Sequence, residues 1–283
     1  MFKHSSSRVK TYGALWAPYY ASVLDLIGST GVILPIADPW LSAPGETTFT
    51  TMGEEQVTFT WGVDSSWSDF DGHTNANAGE DAPYIFEGII PIVDFNGSNE
   101  EADTPDAAYW SRGDGSNDSP VSIGVWANIG NLSNAGYVLS RWTSSHLEWL
   151  FGFSAAELPV LNARDNSAGV QSIITSDVAV TQNTWSFVVI TYDGTGGSSA
   201  FTDPNAQIYI NGSKVASTIS NNGSYVAMEN KTGTTALALN QADSVYFIGK
   251  LGGGPLGPFF TQTELTADQV LRLYELGRRA LGL

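Results

Sequence analysis

The stretch that decides the fold is Trp185 to Ser217, WSFVVITYDGTGGSSAFTDPNAQIYINGSKVAS. It opens with Trp185-Ser186-Phe187-Val188-Val189-Ile190-Thr191-Tyr192, a run of β-branched and aromatic residues that suits a strand. Asp193-Gly194 ends the run as a turn signal, and a Gly/Ser-rich loop leads to Asp203-Pro204-Asn205. Gln207 to Ile210 is then turned by Asn211-Gly212 into Ser213 to Ala216. Asn-Gly supplies the two positive-φ positions of a type I′ turn, so this is a hairpin. Alternation puts Tyr209 and Lys214 on one side, and Ile208, Ile210 and Val215 mostly on the other.

Working outward, three further segments fit strands in order, Asp94-Phe95-Asn96-Gly97, Val121 to Ile129 and Val245 to Gly249, and Thr47 to Val63 ahead of them fits a hairpin. The tail is helical. Thr266-Ala267-Asp268-Gln269 is a capping box, and Val270, Leu273, Tyr274 and Gly277 keep helical spacing. Asp268 and Arg278-Arg279 suit the helix dipole. Residues 11–45 are aromatic and apolar but carry Pro18, Pro35, Pro39 and Pro44, so an extended segment is expected there. Asp64 to Pro83 is a polar loop.

Together the pieces W-x-x-x-x-x-T-Y-D-G at Trp185–Gly194 and I-Y-I-N-G-x-x-V at Ile208–Val215 resemble the core of the laminin-G-like, or concanavalin A-like, jelly rolls. Asp94–Gly97, the strand with Trp126 and the Val245–Gly249 strand fit the same order, and the resemblance spans about residues 86–281. It implies an all-β, two-sheet antiparallel jelly-roll sandwich, with an extended N-terminal arm and one C-terminal helix. The expected segmentation is an attachment arm over 1–45, a hairpin and acidic loop over 46–83, and the jelly roll over 84–283.

Composition narrows the function. The chain has 283 residues, 30 Gly, 9 Trp, no Cys and a net charge of −17. Disulfides, thiolate metal sites and a Cys nucleophile are excluded. The charge argues against nucleic-acid partners and anionic membranes. No apolar run is long enough to span a membrane. The first residues lack the apolar core of a secretory signal. From Asp38 to Asp118 there are 17 acidic residues and one basic residue, whereas Lys3, Arg8 and Lys10 make the N-terminus basic.

Glucanases of this fold place carboxylates as E-x-D-x-E on one strand, because hydrolysis needs two carboxyl groups facing one cleft. No such triplet occurs; Glu54-Glu55 and Glu100-Glu101 are adjacent, which in a strand points them to opposite faces. A non-enzyme is expected. The resemblance suggests calcium at a sandwich rim, with Asp69, Asp71, His73, Asp94, Asn96, Asp114 and Asp118 as candidates; as turn formers these residues have a plainer role. Sugar contacts would use Trp110, Trp142, Tyr192 and Asn211. Arg112-Gly113-Asp114 spells an adhesion tripeptide, here read as chance.

The expected function is a non-catalytic structural protein on the exterior of a virus particle, from capsid or tail of a bacteriophage, made without export. Its partners would be other virion proteins, host cell-surface glycan and copies of itself as a homo-oligomer. Lys3, Arg8, Lys10, Trp16, Tyr19 and Tyr20 would make the assembly contact. The alternatives are a stand-alone lectin and a degenerate glucanase.

Overall fold

In the computed structural model, residues 6–36, 48–53, 55–61, 84–87, 90–98, 100–221 and 223–283 are described. Two large antiparallel sheets form a sandwich. The first runs Ser213–Val215, Ala206–Ile210, Trp185–Tyr192, Val121–Asn128, Ile248–Gly252, Ile90–Asn96, Tyr84–Glu87. The second runs Ser217–Asn221, Val170–Ser176, Pro159–Asp165, His146–Phe153, Gly136–Thr143, Thr235–Leu237, Ala102–Thr104, Thr58–Trp61, Thr48–Thr50. The hairpin of 48–61 is therefore the edge of the second sheet, joined through Thr60 opposite Asp103.

The Asn211-Gly212 turn forms as read, with φ of 52° and 77° and Ile210 opposite Ser213. Trp185–Tyr192 is buried along its whole length. Its alternate side chains serve two layers. Val188, Ile190 and Tyr192 join the core between the sheets, with Trp149, Phe151 and Leu139 from the opposite sheet. Trp185, Phe187 and Val189 face outward and are covered by helices. A strand buried on both faces reads as a continuous apolar run, which is what the sequence shows.

The covering layer is two helices, α1 (Ser6–Ile27) and α2 (Ala267–Leu281). Helix α2 has the expected capping box, with Thr266 Oγ1 accepting from Gln269 N at 3.3 Å and Gln269 Oε1 accepting from Thr266 N at 2.9 Å. It lays Val270, Leu273 and Ala280 on Trp126, Trp185 and Phe187. Gly277 lets it come close: a Cβ there would lie 2.2 Å from Trp126 Nε1.

The expectation of an extended arm is corrected by α1. Tyr20, Val23 and Ile27 sit at helical spacing and are buried in the same outer layer. The α1 C-terminus is closed by Gly28 at φ 79°, by Gln269 Nε2 donating to Leu26 O (2.8 Å) and by Thr261 Oγ1 donating to Ile27 O (2.8 Å). Pro18 is accommodated inside the helix. Gly31–Ile33 then adds to the first sheet, antiparallel to Phe259–Thr261 and Met52–Gly53. Val32, Leu34 and Ile36 reach the core between the sheets. Burial of apolar side chains outweighs the local cost of proline.

Candidate functional site

The expected sugar-contacting residues do not form a surface. Trp110 is buried in an aromatic cluster, with its ring 5.0 Å from Phe260 and its carbonyl accepting from Trp149 Nε1 at 2.9 Å. Trp142 is also buried. Tyr192 points into the core, where its hydroxyl donates to Asp118 Oδ2 at 2.6 Å. Asn211 is exposed, but its Oδ1 accepts from Phe187 N at 2.9 Å and so fastens the hairpin turn. Burial drew the large aromatic side chains inward.

The calcium candidates among the described residues are engaged in other contacts. Asp118 is buried, accepting from Tyr192, from Tyr225 Oη at 2.9 Å and from Met228 N at 2.7 Å. Burial pushes its carboxyl above the usual range, partly offset by those bonds. Asp114 is exposed and instead holds a turn, with Oδ1 accepting from Ser116 N and Asn117 N; these bonds pull its carboxyl below the usual range. Asn96 Oδ1 accepts from Ser98 N in another turn. Among the described residues no cluster of three or more His, Cys, Asp or Glu could hold a metal. Asp69, Asp71 and His73 lie outside the described residues, as does Lys3. Arg8, Lys10 and Trp16 lie in α1, Tyr19 is half-buried and Tyr20 is buried against the sheet. Arg112 is buried, with its guanidinium 5.9 Å from the Phe260 ring centroid, so the adhesion tripeptide is not presented.

A different place has the makings of a binding site. A groove of about 400 Å³ opens at one rim of the sandwich. Its wall comes from Gly97, from the 133–137 segment and from 240–248. The size lies within the range of small-ligand pockets.

Each wall is fixed by local chemistry. Leu239–Asn240 and Val245–Tyr246 form a small hairpin. Asn240, 1% exposed, builds its turn by accepting from Ala242 N (3.1 Å) and Asp243 N (3.4 Å). Its Nδ2 donates to Asp243 Oδ2 at 2.9 Å, which orients that carboxylate. The 133–137 loop is anchored by Leu132, which is buried and whose N donates to Glu157 Oε1 at 2.9 Å. Gly97 stands at φ 75°, and a Cβ there would meet Ile248 Cβ at 2.8 Å, so glycine lets the walls approach.

The groove presents two half-buried tyrosine side chains, Tyr137 and Tyr246, beside the exposed Ser133, Asn134, Asp243 and Ser244. Burial, and after it Asp243, push the Tyr137 hydroxyl above its ordinary range, so it stays protonated and can donate. Aromatic faces suit the C–H faces of a sugar, while the amide, hydroxyl and carboxylate groups suit its hydroxyls.

A buried ion pair lies further along the Gly136–Thr143 strand that carries Tyr137. Arg141 (1% exposed) donates from Nε to Glu148 Oε1 at 2.7 Å and also binds Asp106, Lys231 O and Gly233 O. Glu148 Oε1 further accepts from Lys231 N at 2.9 Å. Burial raises the Glu148 carboxyl despite Arg141. Glu148 is inaccessible, and its work is to tie the 229–235 segment to the second sheet.

The fold is a sandwich of lectin-like type. The chain belongs to the concanavalin A-like lectin/glucanases superfamily, whose laminin G type matches residues 96–253. A botulinum neurotoxin type C structure, concerned with cell entry dependent on two ganglioside molecules, is similar at a TM-score of 0.53 and 12% identity, covering 92% of this chain and 52% of that one. The binding domain of botulinum neurotoxin DC in complex with SialylT reaches 0.54 at 11% identity, covering 88% and 52%. This chain thus spans about half the length of those structures, and at such identity the likeness is one of fold. No curated protein matches the chain. Among the described residues no helix is long and apolar enough to cross a membrane.

Proposed function

We propose that the chain is a non-catalytic carbohydrate-binding module whose ligand lies in the rim groove between Tyr137 and Tyr246. The observation that carries this is the pairing of two aromatic side chains with a carboxylate pre-oriented by the buried Asn240. Binding without hydrolysis fits the groove, because Asp243 is its one lining carboxylate among the described residues and glycoside cleavage needs two. The glycan-related neighbours of this fold support the same reading.

The test is a glycan array followed by calorimetry on the best hit. Tyr246→Ala is expected to weaken binding at least about ten-fold, since removing an aromatic platform loses both area and orientation. Its melting temperature should stay near that of the parent, because Tyr246 lies on the rim. Undiminished binding by the variant would move the ligand elsewhere.

A second reading concerns where the module works: on the exterior of a virus particle, as capsid decoration or tail adsorption component. The feature that favours it is α1, which carries Arg8 and Lys10 while its second half is packed on a body of strongly negative charge. A basic segment so held suits an acidic neighbouring protein. Display in several copies, as a homo-oligomer or on a particle, would multiply weak glycan contacts. Co-sedimentation with particles tests it, and Arg8→Glu/Lys10→Glu should abolish it; retention by that variant would end the docking role of α1.

A further inference from the structure

We propose that the rim groove selects glycans that are uncharged or carry amino groups, that it rejects glycans bearing carboxylates, and that Asp243 is the discriminating residue. This rests on the groove being the glycan site.

The first observation is charge. Among the described residues that line the groove, Asp243 is the one carboxylate, and none is Lys, Arg or His. An adjoining carboxylate has the same sign: Glu100 Oε2 accepts from the backbone N of Asn96, next to the lining Gly97. A site for an acidic sugar pairs its carboxylate with a cation or a cluster of donors. Here it would meet a carboxylate.

The second observation is donor and acceptor arrangement. An ionised carboxylate only accepts hydrogen bonds. Asn240 Nδ2 occupies one lone pair of Asp243 Oδ2 and holds the group in place. Because Asn240 is almost wholly buried and also carries the hairpin turn, its orientation is set by the fold rather than by solvent. The remaining lone pairs face ligand groups that must donate: sugar hydroxyls, the N–H of an acetamido group, or an ammonium. The Tyr137 hydroxyl, held protonated, can donate back to a sugar oxygen. The arrangement answers a polyhydroxylated neutral or amino sugar.

Like charges a few ångströms apart at a solvent-facing site cost roughly ten-fold in affinity, and salt screens part of it. Specificity here comes from a repulsive element as much as from contacts.

The experiment uses the full chain and matched glycan pairs differing only by a terminal sialic acid, at low and high salt. The parent should bind the desialylated member about ten-fold or more tightly than the sialylated one, with a ratio that shrinks as salt rises. Asp243→Asn should reduce that ratio several-fold, while neutral glycan binds the variant more weakly through loss of an acceptor. Equal or tighter binding of the sialylated member overturns the charge selection and leaves glycan binding intact. A preference that persists undiminished in Asp243→Asn overturns the role of Asp243. Binding to neither member, nor to any glycan on the array, removes the glycan reading and this selectivity with it.

Discussion

Gly277→Ala is a substitution whose sign depends on the packing of α2. In an exposed helix interior it would stabilise by about 1 kcal/mol, through helix propensity. Here the new Cβ would lie 2.2 Å from Trp126 Nε1, 2.5 Å from Cε2 and 2.7 Å from Cζ2. Ordinary carbon contacts lie near 3.5–4.0 Å, so the helix or the ring must shift by roughly 1 Å. The ring cannot turn aside easily, because it packs against both Phe187 at 5.2 Å and Tyr274 at 5.7 Å. Retreat of the helix would open a gap beneath Val270 and Leu273, which are buried. Overpacking of this kind costs about 3 kcal/mol at the upper end of its range. The net loss is then about 2 kcal/mol, or a fall in Tm of about 4–8 °C for a chain of this size. Chemical denaturation and calorimetry of the parent, Gly277→Ala, Trp126→Phe and the double variant would measure it. Trimming the indole makes room, so Gly277→Ala should cost much less in the Trp126→Phe background. A Gly277→Ala variant that melts at or above the parent would show that α2 does not rest on Trp126.

Other expectations follow from the same packing. Deleting residues 1–36 removes Val32, Ile33, Leu34 and Ile36, all fully buried; at about 1.5–3 kcal/mol each this matches the stability of an ordinary domain, so the truncated chain should lose cooperative melting. A truncated chain that melts like the parent would restore the reading of this segment as an arm. Glu148→Ala should cost about 3–5 kcal/mol by leaving Arg141 short of a buried partner, and a loss below about 1 kcal/mol would count against the pair. For Asp118, burial raises the folded carboxyl above its unfolded value. Its contribution to stability is therefore full below the ordinary carboxylate range and declines as pH rises through the raised value. Asp118→Asn should flatten the fall in Tm over that window, whereas parallel curves for parent and variant would refute the shift.

Much of the fold was legible because it is written in local chemistry. Asn211-Gly212 dictates its turn, Thr266 and Gln269 cap α2, and the uninterrupted apolar run at Trp185–Tyr192 marks a strand covered on both faces. Helix α1 was not legible, since Pro18 argues against it and only tertiary burial of Tyr20, Val23 and Ile27 decides for it. The rim groove was not legible for a related reason. Trp110, Trp142 and Tyr192 have the side chains a sugar platform needs, yet their area made them core. Tyr137 and Tyr246 are more than a hundred positions apart, and antiparallel strand order brings them to one rim. The one local hint was Asn240-Gln241-Ala242-Asp243-Ser244, a turn-forming run just before the Val245 strand.

The central claim is that glycan binds between Tyr137 and Tyr246. Amide chemical-shift mapping by nuclear magnetic resonance, during titration with the best array ligand, tests it most directly. Saturable shifts should concentrate at residues 133–137 and 240–248 and vanish in Tyr246→Ala. Shifts concentrated elsewhere, such as around the α1 C-terminus at Leu24–Gly31, would contradict it.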